Sequence, residues 1–459
     1  MIFDQSLFRA YDMRGTYPNH MNEQVAYAAG QAFVRVMGAK NVVVGRDVRA
    51  SGLSLVDSLI RGITDAGANA INVGVISTEM LYFAAANLEC DGGMSITASH
   101  NPSQWNGIKF IGPKAVALTK EDKLGEIYAH INSGEKISEF TKGTVSEQDL
   151  LPAYTNFLKR FVGEQVPQMK VVANVNFGAN GKVVDAALAG LPIDLVKLNW
   201  EEDGTFPKGT PDPLLPSNYK EITGLVQTAN AAFGVAWDAD ADRCFFYDEK
   251  GRFFHGYYIT AMLIENFLKA GGKKVVCERR LTWANVDAAK NNGGEVIWSR
   301  TGHGYIKHAM RSNDAIFGGE TSGHYYYKDA FFCDNGMVTF LLISGIFGKQ
   351  LAEGKKVSEL LDYYMEHYPI SLEELNYITE DAATIIKAAS EKYPDAEQNH
   401  EDGLSVEYAT WRFNLRMSSN EPVLRLNFEA RSRDELEARK TELTSFIQSF
   451  GAKLRNDHD

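Results

Sequence analysis

Short apolar runs alternate with amphipathic helical patterns along most of the chain. The first set has apolar runs at 41–45, 70–73 and 93–96, with helical patterns at 53–66 and 79–88 between them. Apolar runs of this length are typical of buried strands, and the amphipathic stretches indicate helices that cover a sheet on one face. The pattern therefore predicts an α/β fold.

The same order of elements occurs two more times. The second unit has apolar runs at 170–173, 193–196 and 233–237, and the third has them at 273–276, 295–298 and 315–317. The units share the order of elements and not residue identity. In each unit an unusually polar loop follows the third run, and so lies at the carboxyl end of a predicted strand. Open α/β sheets bind ligands at the carboxyl ends of their strands. If the units face one cleft, the three loops meet there.

The last ninety or so residues have a different pattern. Apolar and polar residues alternate at 411–415 and 423–428, which predicts strands, and Ser432 followed by Glu435 has the spacing of a capping box at the start of a helix. These features predict a small α+β domain. A linker near Tyr368 would separate it from the three α/β units.

Composition narrows the class of protein. The chain has 459 residues, of which 44% are hydrophobic and 23% charged, so several globular domains are expected. The net charge of -12 argues against a nucleic-acid partner, and no apolar run is long enough to span a membrane. The amino terminus does not have the pattern of a secretory signal, and the four scattered cysteines are typical of reduced thiols, so a cytoplasmic location is expected.

A serine lies on the polar loop of the first unit. Ser99 stands in the stretch Thr-Ala-Ser-His-Asn-Pro at 97–102, directly after an apolar run. A serine displayed at a strand end can be a nucleophile or a phosphoryl carrier. The alternative is a turn or helix cap in which the hydroxyl bonds only to nearby backbone.

Three aspartates follow the third apolar run of the second unit. Asp238, Asp240 and Asp242 alternate with alanines, and carboxylates this close repel one another unless a cation holds them. An EF-hand is a poor match, because Arg243 stands where that loop needs glycine and 244–247 has the pattern of a strand. Mg²⁺ is favoured, with a solvated acidic turn as the alternative.

Two further loops carry chemistry that suits a sugar phosphate. Glu320 and Ser322, flanked by glycines, suit sugar hydroxyls, although a glycine-rich turn has the same composition. A later polar loop could hold a phosphate, or could be an ordinary hairpin loop. Its candidate ligands are Arg416, Ser418, Ser419 and Asn420.

Several other residues belong with these loops. Arg14 and Lys109 add positive charge near the serine loop in sequence. His303 is a candidate proton carrier, although single histidines are often structural. The remaining candidates are Tyr11 beside Arg14, His100 in the serine loop and His324 in the sugar loop.

Taken together and in this order, these loops resemble the α-D-phosphohexomutase superfamily, and within it the bacterial phosphomannomutase/phosphoglucomutase group. The resemblance covers essentially the whole chain. It implies three topologically related α/β domains with mixed sheets and a C-terminal α+β domain around a central cleft. The implied domain limits are 1–146 with the phosphoserine loop, 147–250 with the metal loop, 251–367 with the sugar loop, and 368–459 as a phosphate-binding lid.

The resemblance also implies the chemistry. Ser99 would carry a phosphoryl group and, with the three aspartates, bind Mg²⁺. The phosphoryl group would pass to a hexose phosphate, forming a hexose 1,6-bisphosphate that also serves as activator. Arg14, His100, Lys109 and Arg243 would be catalytic. The substrate-binding group would comprise Tyr11, His303, Glu320, Ser322, His324, Arg416, Ser418, Ser419 and Asn420.

The resemblance leaves the sugar open. Glucose and mannose differ at C2, and a loop that binds O3 and O4 accepts both. Thr321 stands where phosphomannomutases commonly have methionine, and Ala239 and Ala241 stand where the family often has glycine. An alanine in the metal loop would be strained if its φ were positive.

Other functions fit parts of this pattern. A relative acting on glucosamine or N-acetylglucosamine phosphate would share the motifs. A Mg²⁺-dependent sugar-phosphate phosphatase would pass the phosphoryl group to water, and a non-catalytic sensor would only bind the sugar phosphate. The expected partner is a hexose phosphate, and the expected assembly is a monomer or a small homo-oligomer.

Overall fold

The computed structural model describes residues 3–135, 141–163, 166–418 and 423–455. The chain divides into two compact units: the first contains residues 1–253 and 323–357, and the second contains 254–322 and 358–459. Within the described ranges, no helix combines the length and the apolar character needed to cross a membrane.

The first unit begins with a mixed six-stranded sheet. Its strands are β1 (Asp12–Thr16), β2 (Asn41–Arg46), β3 (Asn69–Val75), β4 (Gly93–Ile96), β5 (Trp105–Ile111) and β6 (Val145–Glu147), and its helices are α1 (Glu23–Met37), α2 (Gly52–Asp65), α3 (Thr78–Asn87) and α4 (Lys123–Ser133). The order is β1-β5-β4-β2-β3-β6, with β5 antiparallel to both neighbours. Helix α1 begins where Asn22 accepts hydrogen bonds from two backbone N–H groups, and it ends at Gly38 in the left-handed conformation.

A second mixed sheet follows in the same unit. Its strands are β7 (Met169–Asn174), β8 (Ile193–Leu198), β9 (Phe233–Trp237), β10 (Cys244–Asp248) and β11 (Phe253–Phe254), and its helices are α5 (Leu151–Leu158), α6 (Gly181–Leu188) and α7 (Pro216–Thr228). Every residue of β9 is buried, as its continuous apolar run predicted. The short 3-10 helices of the chain are Gln5–Leu7, Pro113–Ala115, Lys159–Phe161 and Lys328–Ala330.

The third set of elements is shared by the two units. Its strands are β12 (Lys274–Glu278), β13 (Glu295–Ser299), β14 (Phe317–Gly319), β15 (Tyr325–Tyr327) and β16 (Cys333–Asp334), and its helices are α8 (Gly256–Lys269), α9 (Trp283–Asn291), α10 (His303–Asn313), α11 (Gly336–Ala352) and α12 (Val357–His367). Strand β14 begins two residues later than predicted, because α10 ends in a left-handed turn at Asp314.

The predicted repeat is confirmed by the strand order. In each set the first strand lies between the second and the third, and all three are parallel: β3-β2-β4, β8-β7-β9 and β13-β12-β14. The third strands β4, β9 and β14 lead into the serine, aspartate and glutamate loops.

The C-terminal part is an antiparallel α+β domain, as predicted. Its strands are β17 (Leu375–Ile378), β18 (Glu397–Asn399), β19 (Leu404–Glu407), β20 (Trp411–Met417), β21 (Val423–Ala430) and β22 (Lys453–Leu454), and its helices are α13 (Ala382–Lys392) and α14 (Arg433–Gln448). The helix α14 begins where the capping-box spacing predicted, and Ser432 is its N-cap, because the hydroxyl oxygen accepts from the Glu435 N–H at 3.2 Å.

Candidate active site

Ser99 occupies a tight, buried turn just beyond β4. Its φ is +50°, which is uncommon for a residue other than glycine and is often found at functional sites. The backbone N–H donates to Thr97 Oγ1 at 2.9 Å, and the hydroxyl donates to Asp238 Oδ2 at 2.8 Å. The hydroxyl also lies 3.1 Å from His100 Nδ1. The fold therefore directs Ser99 at the aspartate loop that follows β9.

The three aspartates form a buried acidic cluster. One oxygen from each lies within 4.8 Å of the others. Burial, followed by the neighbouring carboxylates, raises the pKa of Asp238 well above its usual range, and burial with Asp240 raises that of Asp242 to about 7. Asp240 Oδ1 is buried with no hydrogen-bond partner in the described structure. An all-oxygen cluster with an unpartnered oxygen fits a hard divalent cation such as Mg²⁺.

Lys109 supplies one positive charge to this cluster. The antiparallel pairing of β4 and β5 places Lys109 opposite Ser95, and its ammonium donates to Asp240 Oδ2 at 2.8 Å and to Asp242 Oδ2. Burial opposes the charged ammonium, but the two carboxylates outweigh burial and raise the pKa of Lys109. Burial likewise opposes ionisation of Asp240, but Lys109 outweighs it and lowers the Asp240 pKa to about 2. Lys109 is therefore a permanent cation beside the carboxylates.

Two arginines flank the serine loop. On β1, Arg14 donates to Asp12 Oδ2 at 2.8 Å and to Asn101 Oδ1 at 2.9 Å. Arg243 follows the third aspartate, and its Nε lies 3.3 Å from Asp238 Oδ2 while its Nη2 hydrogen-bonds to His100. The predicted residues Arg14, His100 and Arg243 are thus brought to the serine and aspartate loops. Tyr11 directly precedes β1.

His324 lies with the aspartates. Its Nε2 is 3.6 Å from Asp242 Oδ1 and 4.0 Å from Asp334 Oδ2. Pairing of the backbone at Arg243 with that at His324 places the two segments side by side. This predicted residue of the sugar loop therefore belongs to the first compact unit.

Glu320 lies in the second compact unit, just beyond β14. It is buried, and its Oε1 accepts from the Gly302 N–H at 2.9 Å, immediately before His303 at the start of α10. Asp402 holds the same loop, because its Oδ2 accepts from the Thr301 N–H at 3.0 Å and from the Thr301 hydroxyl at 2.6 Å. Ser322 is half-buried two residues after Glu320. The structure thus brings Glu320 and the His303 loop together.

Arg416 belongs to a cationic cluster, of which it was the one residue predicted from the sequence. Three arginines surround the carboxylate of Glu374: Arg425 Nη1 at 3.2 Å, Arg416 Nη2 at 3.5 Å and Arg280 Nη1 at 3.9 Å. One buried nitrogen on each arginine has no hydrogen-bond partner in the described residues. We call these four residues the Glu374 cluster. Its excess of guanidinium groups suits a bound anion.

Arg280, Arg425 and Glu374 were not among the site residues predicted from the sequence. Arg425 could have been found from the sequence, because the two predicted strands of this hairpin, β20 and β21, place Arg416 directly opposite Arg425. Like charges in such a pair are destabilising unless an anion lies nearby. Ser418 follows β20, and its N–H donates to the Val423 carbonyl at 2.9 Å. The other predicted ligands of this loop, Ser419 and Asn420, lie outside the described residues.

We expect the Glu374→Gln variant to melt below the wild-type protein at pH 7. The substitution removes the carboxylate that Arg416 and Arg425 contact, at a cost of about 2–3 kcal/mol, while Arg280 keeps its bond to Glu278. Burial opposes the ionised form of Glu374, but the arginines lower its pKa from 4.5 to about 2. Its stabilising contribution is therefore present above pH 4.5 and is lost as the pH falls toward 2.

Thermal unfolding with and without inorganic phosphate tests this expectation. Phosphate should stabilise Glu374→Gln more than the wild type, because it replaces the missing anion. The exposed neighbour Glu373 provides the matched control Glu373→Gln, which should melt like the wild type. Equal melting temperatures for the two variants would contradict the assignment of Glu374 as the anion of this cluster.

The alanines of the metal loop differ in conformation. Ala241 has φ +61°, whereas Ala239 does not have a positive φ. The strain considered for this loop therefore falls on Ala241, where glycine would adopt the conformation freely.

This difference predicts that glycine destabilises the protein more at position 239 than at position 241. Ala239→Gly adds chain entropy to the unfolded state and should destabilise by about 0.5–1 kcal/mol, whereas relief of strain in Ala241→Gly should offset that loss. Ala241→Gly should then be about 1–2 kcal/mol more stable than Ala239→Gly and melt at a higher temperature. Thermal unfolding of both variants in one buffer measures the difference, and the reverse order would refute the explanation.

Known proteins match nearly the whole length of the chain. Family models described as phosphoglucomutase/phosphomannomutase match in four parts: alpha/beta/alpha domain I at 5–138, domain II at 152–251, domain III at 255–368 and the C-terminal domain at 374–445. A phosphomannomutase of Escherichia coli is 38% identical over 447 residues, with 95% of this chain and 97% of that protein covered.

A second relative and a solved structure indicate the same family. A protein of Xanthomonas campestris named phosphohexose mutases is 36% identical over 447 residues, with 96% of this chain and 99% of that protein covered. A crystal structure of a phosphoglucomutase/phosphomannomutase family protein from Burkholderia thailandensis superposes with a TM-score of 0.89 at 27% identity, covering 99% of this chain and 100% of that one.

The fold and the site define an enzyme that transfers phosphoryl groups between positions of a sugar. The chain belongs to the phosphoglucomutase/phosphomannomutase family. Its activity is that of an intramolecular phosphotransferase, which interconverts hexose 1-phosphate and hexose 6-phosphate. The resemblance noted from the sequence and the fold that it implied are confirmed.

Proposed function

We propose that this phosphohexomutase acts on mannose phosphates, accepts glucose phosphates, and works through a phosphoserine at Ser99 and a hexose 1,6-bisphosphate. The observation that carries the proposal is the Ser99 hydroxyl bonded to Asp238 at 2.8 Å, beside two further buried aspartates and a buried lysine. The relatives that cover the chain and are named phosphomannomutases support mannose. Glu320 and Ser322 would bind O3 and O4, which glucose and mannose share.

The acidic cluster would hold Mg²⁺ through Asp238, Asp240 and Asp242 together with an oxygen on Ser99. A bound divalent cation offsets the negative charge on a phosphoryl group during transfer.

The chain's own residues handle the remaining requirements of phosphoryl transfer. The Ser99–phosphorus bond breaks as O1 or O6 of the sugar forms its bond to phosphorus, and the sugar hydroxyl gives up its proton. Arg14, Lys109 and Arg243 are cations and would steady the transferring oxygens. His100, whose Nδ1 lies 3.1 Å from the Ser99 hydroxyl, would receive the sugar proton and pass it to the Ser99 oxygen that the phosphoryl group leaves. A loose transition state depends mainly on positioning and positive charge, and these side chains supply both.

The second phosphate of the sugar would bind away from Ser99. Arg416 with Ser418, Ser419 and Asn420 would grip it, and the remaining arginines of the Glu374 cluster add positive charge there. Tyr11, His303 and His324 would complete the substrate site. The segments 1–146, 147–250, 251–367 and 368–459 would then contribute the phosphoserine, the cation ligands, the sugar loop and the phosphate loop, in that order.

A mutase assay tests the proposal directly. Mannose, glucose, glucosamine and N-acetylglucosamine 1-phosphates are each offered with Mg²⁺ and glucose 1,6-bisphosphate, and the 6-phosphates and free phosphate are measured. We expect turnover of mannose 1-phosphate, a smaller rate with glucose 1-phosphate, and little free phosphate. Preference for an amino sugar would overturn the substrate assignment, and phosphate release equal to isomer formation would indicate a phosphatase.

A further inference from the structure

The three repeated strand sets share a feature beyond the order of their strands. At the carboxyl end of each first strand, a side-chain oxygen accepts the backbone N–H two residues later. The pairs are Asp47 with Arg49 at 2.9 Å, Asn174 with Asn176 at 2.9 Å, and Glu278 with Arg280 at 2.6 Å. In the first and third sets the later residue is an arginine whose Nε donates to the same carboxylate. The repeat thus places two arginines in equivalent positions.

All the hydrogen-bond donors of Arg49 are used by Asp47 and the serine loop. Its side chain is buried without exposure, and a guanidinium has five N–H donors. Nε donates to Asp47 Oδ2 at 3.1 Å, Nη1 donates to the carbonyls of Pro102 at 2.7 Å and Trp105 at 3.0 Å, and Nη2 donates to those of Ser99 at 2.7 Å and Asn101 at 2.6 Å. These bonds use all five donors, so none is left for a phosphate or a sugar.

The equivalent Arg280 behaves differently. Its Nη2 is buried without a hydrogen-bond partner in the described structure, and its Nη1 lies 3.9 Å from Glu374. The carboxylate–arginine pair therefore leaves N–H donors available in the third set and none in the first. Arg280 can thus bind an anion, whereas Arg49 holds the backbone of the serine loop.

The serine loop needs such a support. Ser99 has a positive φ, and four carbonyls between 99 and 105 point at one guanidinium. Buried carbonyls without a donor cost about 1–3 kcal/mol each. Asp47 reinforces the loop from its other side, because it accepts from Thr97 Oγ1 at 2.8 Å, and that oxygen accepts the Ser99 N–H.

We propose that Arg49 is the positioning residue of the phosphoserine loop. It holds the Ser99 oxygen in line for transfer, and it touches neither the phosphoryl group nor the sugar. The inference rests on the proposed role of Ser99. It adds a residue outside the substrate and cation ligands on which the rate of transfer depends.

The test compares Arg49→Lys with the wild type. Lysine keeps the charge but has three donors and no planar fork, so at least two of the five bonds of Arg49 are lost. We expect kcat to fall about 100-fold, since a displacement of about 1 Å has that effect on transfer, while KM for mannose 1-phosphate stays within about threefold. The control is Arg252→Lys, which alters the Arg252–Asp248 pair in the same compact unit and should leave both constants unchanged.

A measurement made beforehand distinguishes failure of the proposed function from failure of the positioning role. Both proteins are first incubated with glucose 1,6-bisphosphate, and the phosphate on Ser99 is counted by mass spectrometry. Absence of phosphate on the wild type refutes the proposed function whatever Arg49 does. With wild-type Ser99 phosphorylated, an unchanged kcat in Arg49→Lys, or a KM that rises as kcat falls, overturns the positioning role.

The isosteric variant Asp47→Asn should show the same loss of kcat at constant KM, because it removes the charge that orients Arg49. Circular dichroism shows whether each variant is folded. If Arg49→Lys does not fold, the kcat and KM of Asp47→Asn decide the question. If neither variant folds, Arg49 is a requirement of folding and the proposal is wrong.

Discussion

Replacing Ser99 with alanine should lower mutase turnover by about 10⁴-fold or more. The substitution removes the oxygen that would carry the phosphoryl group, and loss of a covalent nucleophile has effects of this size in other enzymes. The hydroxyl's bond to Asp238 also disappears, although the backbone bond from the Ser99 N–H to Thr97 remains. The loop should therefore stay folded while the chemistry stops. Turnover of mannose 1-phosphate, measured with glucose 1,6-bisphosphate and Mg²⁺, gives the result.

Ser95 provides the matched control for this experiment. It is buried on β4, four residues before Ser99, and its side chain is not assigned to the site. Ser95→Ala should retain activity within about twofold, in line with a small packing change. Ser99→Ala turnover within tenfold of the wild type would contradict the phosphoserine mechanism. Phosphate incorporated elsewhere on that variant would show that another residue carries it.

Asp240→Asn should lower kcat by about 10³-fold and raise the Mg²⁺ concentration needed for half-maximal rate at least tenfold. Asp240 Oδ2 accepts from Lys109 at 2.8 Å and from Thr78 at 2.7 Å, which leaves Oδ1 for a cation. An asparagine keeps the shape but removes a charge, and its amide can present N–H groups to the Lys109 ammonium. Both the cation and the lysine would then be misplaced.

Titration of the rate with Mg²⁺ distinguishes this effect from general damage. Asp194→Asn is the control, since Asp194 is exposed on β8 and far in sequence from the aspartate loop. It should match the wild type at every Mg²⁺ concentration. An Asp240→Asn enzyme with normal turnover and normal Mg²⁺ dependence would exclude Asp240 as a cation ligand.

Local patterns predicted most of the architecture. The strand Phe233–Trp237 and the helix Trp283–Asn291 have the predicted bounds, because the signal for each lies within one short stretch of sequence. The N-cap at Ser432 is equally local. The repeat was predicted as an order of elements along the chain. The order of strands within each sheet was not predicted, since pairing joins residues far apart in the sequence.

The site was predictable where its chemistry lies in one loop. Ser99 and the three aspartates stood out because each is an unusual group directly after an apolar strand. Arg280, Arg425 and Glu374 were missed because no short stretch contains more than one of them. Their meaning depends on the excess of positive charge that forms when they are brought together.

The sequence by itself determined the repeated α/β pattern, the C-terminal α+β domain and the residue types available for phosphoryl transfer. Each of these was predicted from periodicity and motif spacing, which are properties of short stretches of sequence. Only the tertiary structure decided which partners meet: the Ser99 hydroxyl with Asp238, Lys109 with Asp240, and Arg49 with the carbonyls of the serine loop. The reason is physical, because the pKa of a buried carboxyl group and the orientation of a guanidinium depend on neighbours that the chain brings together only when it folds.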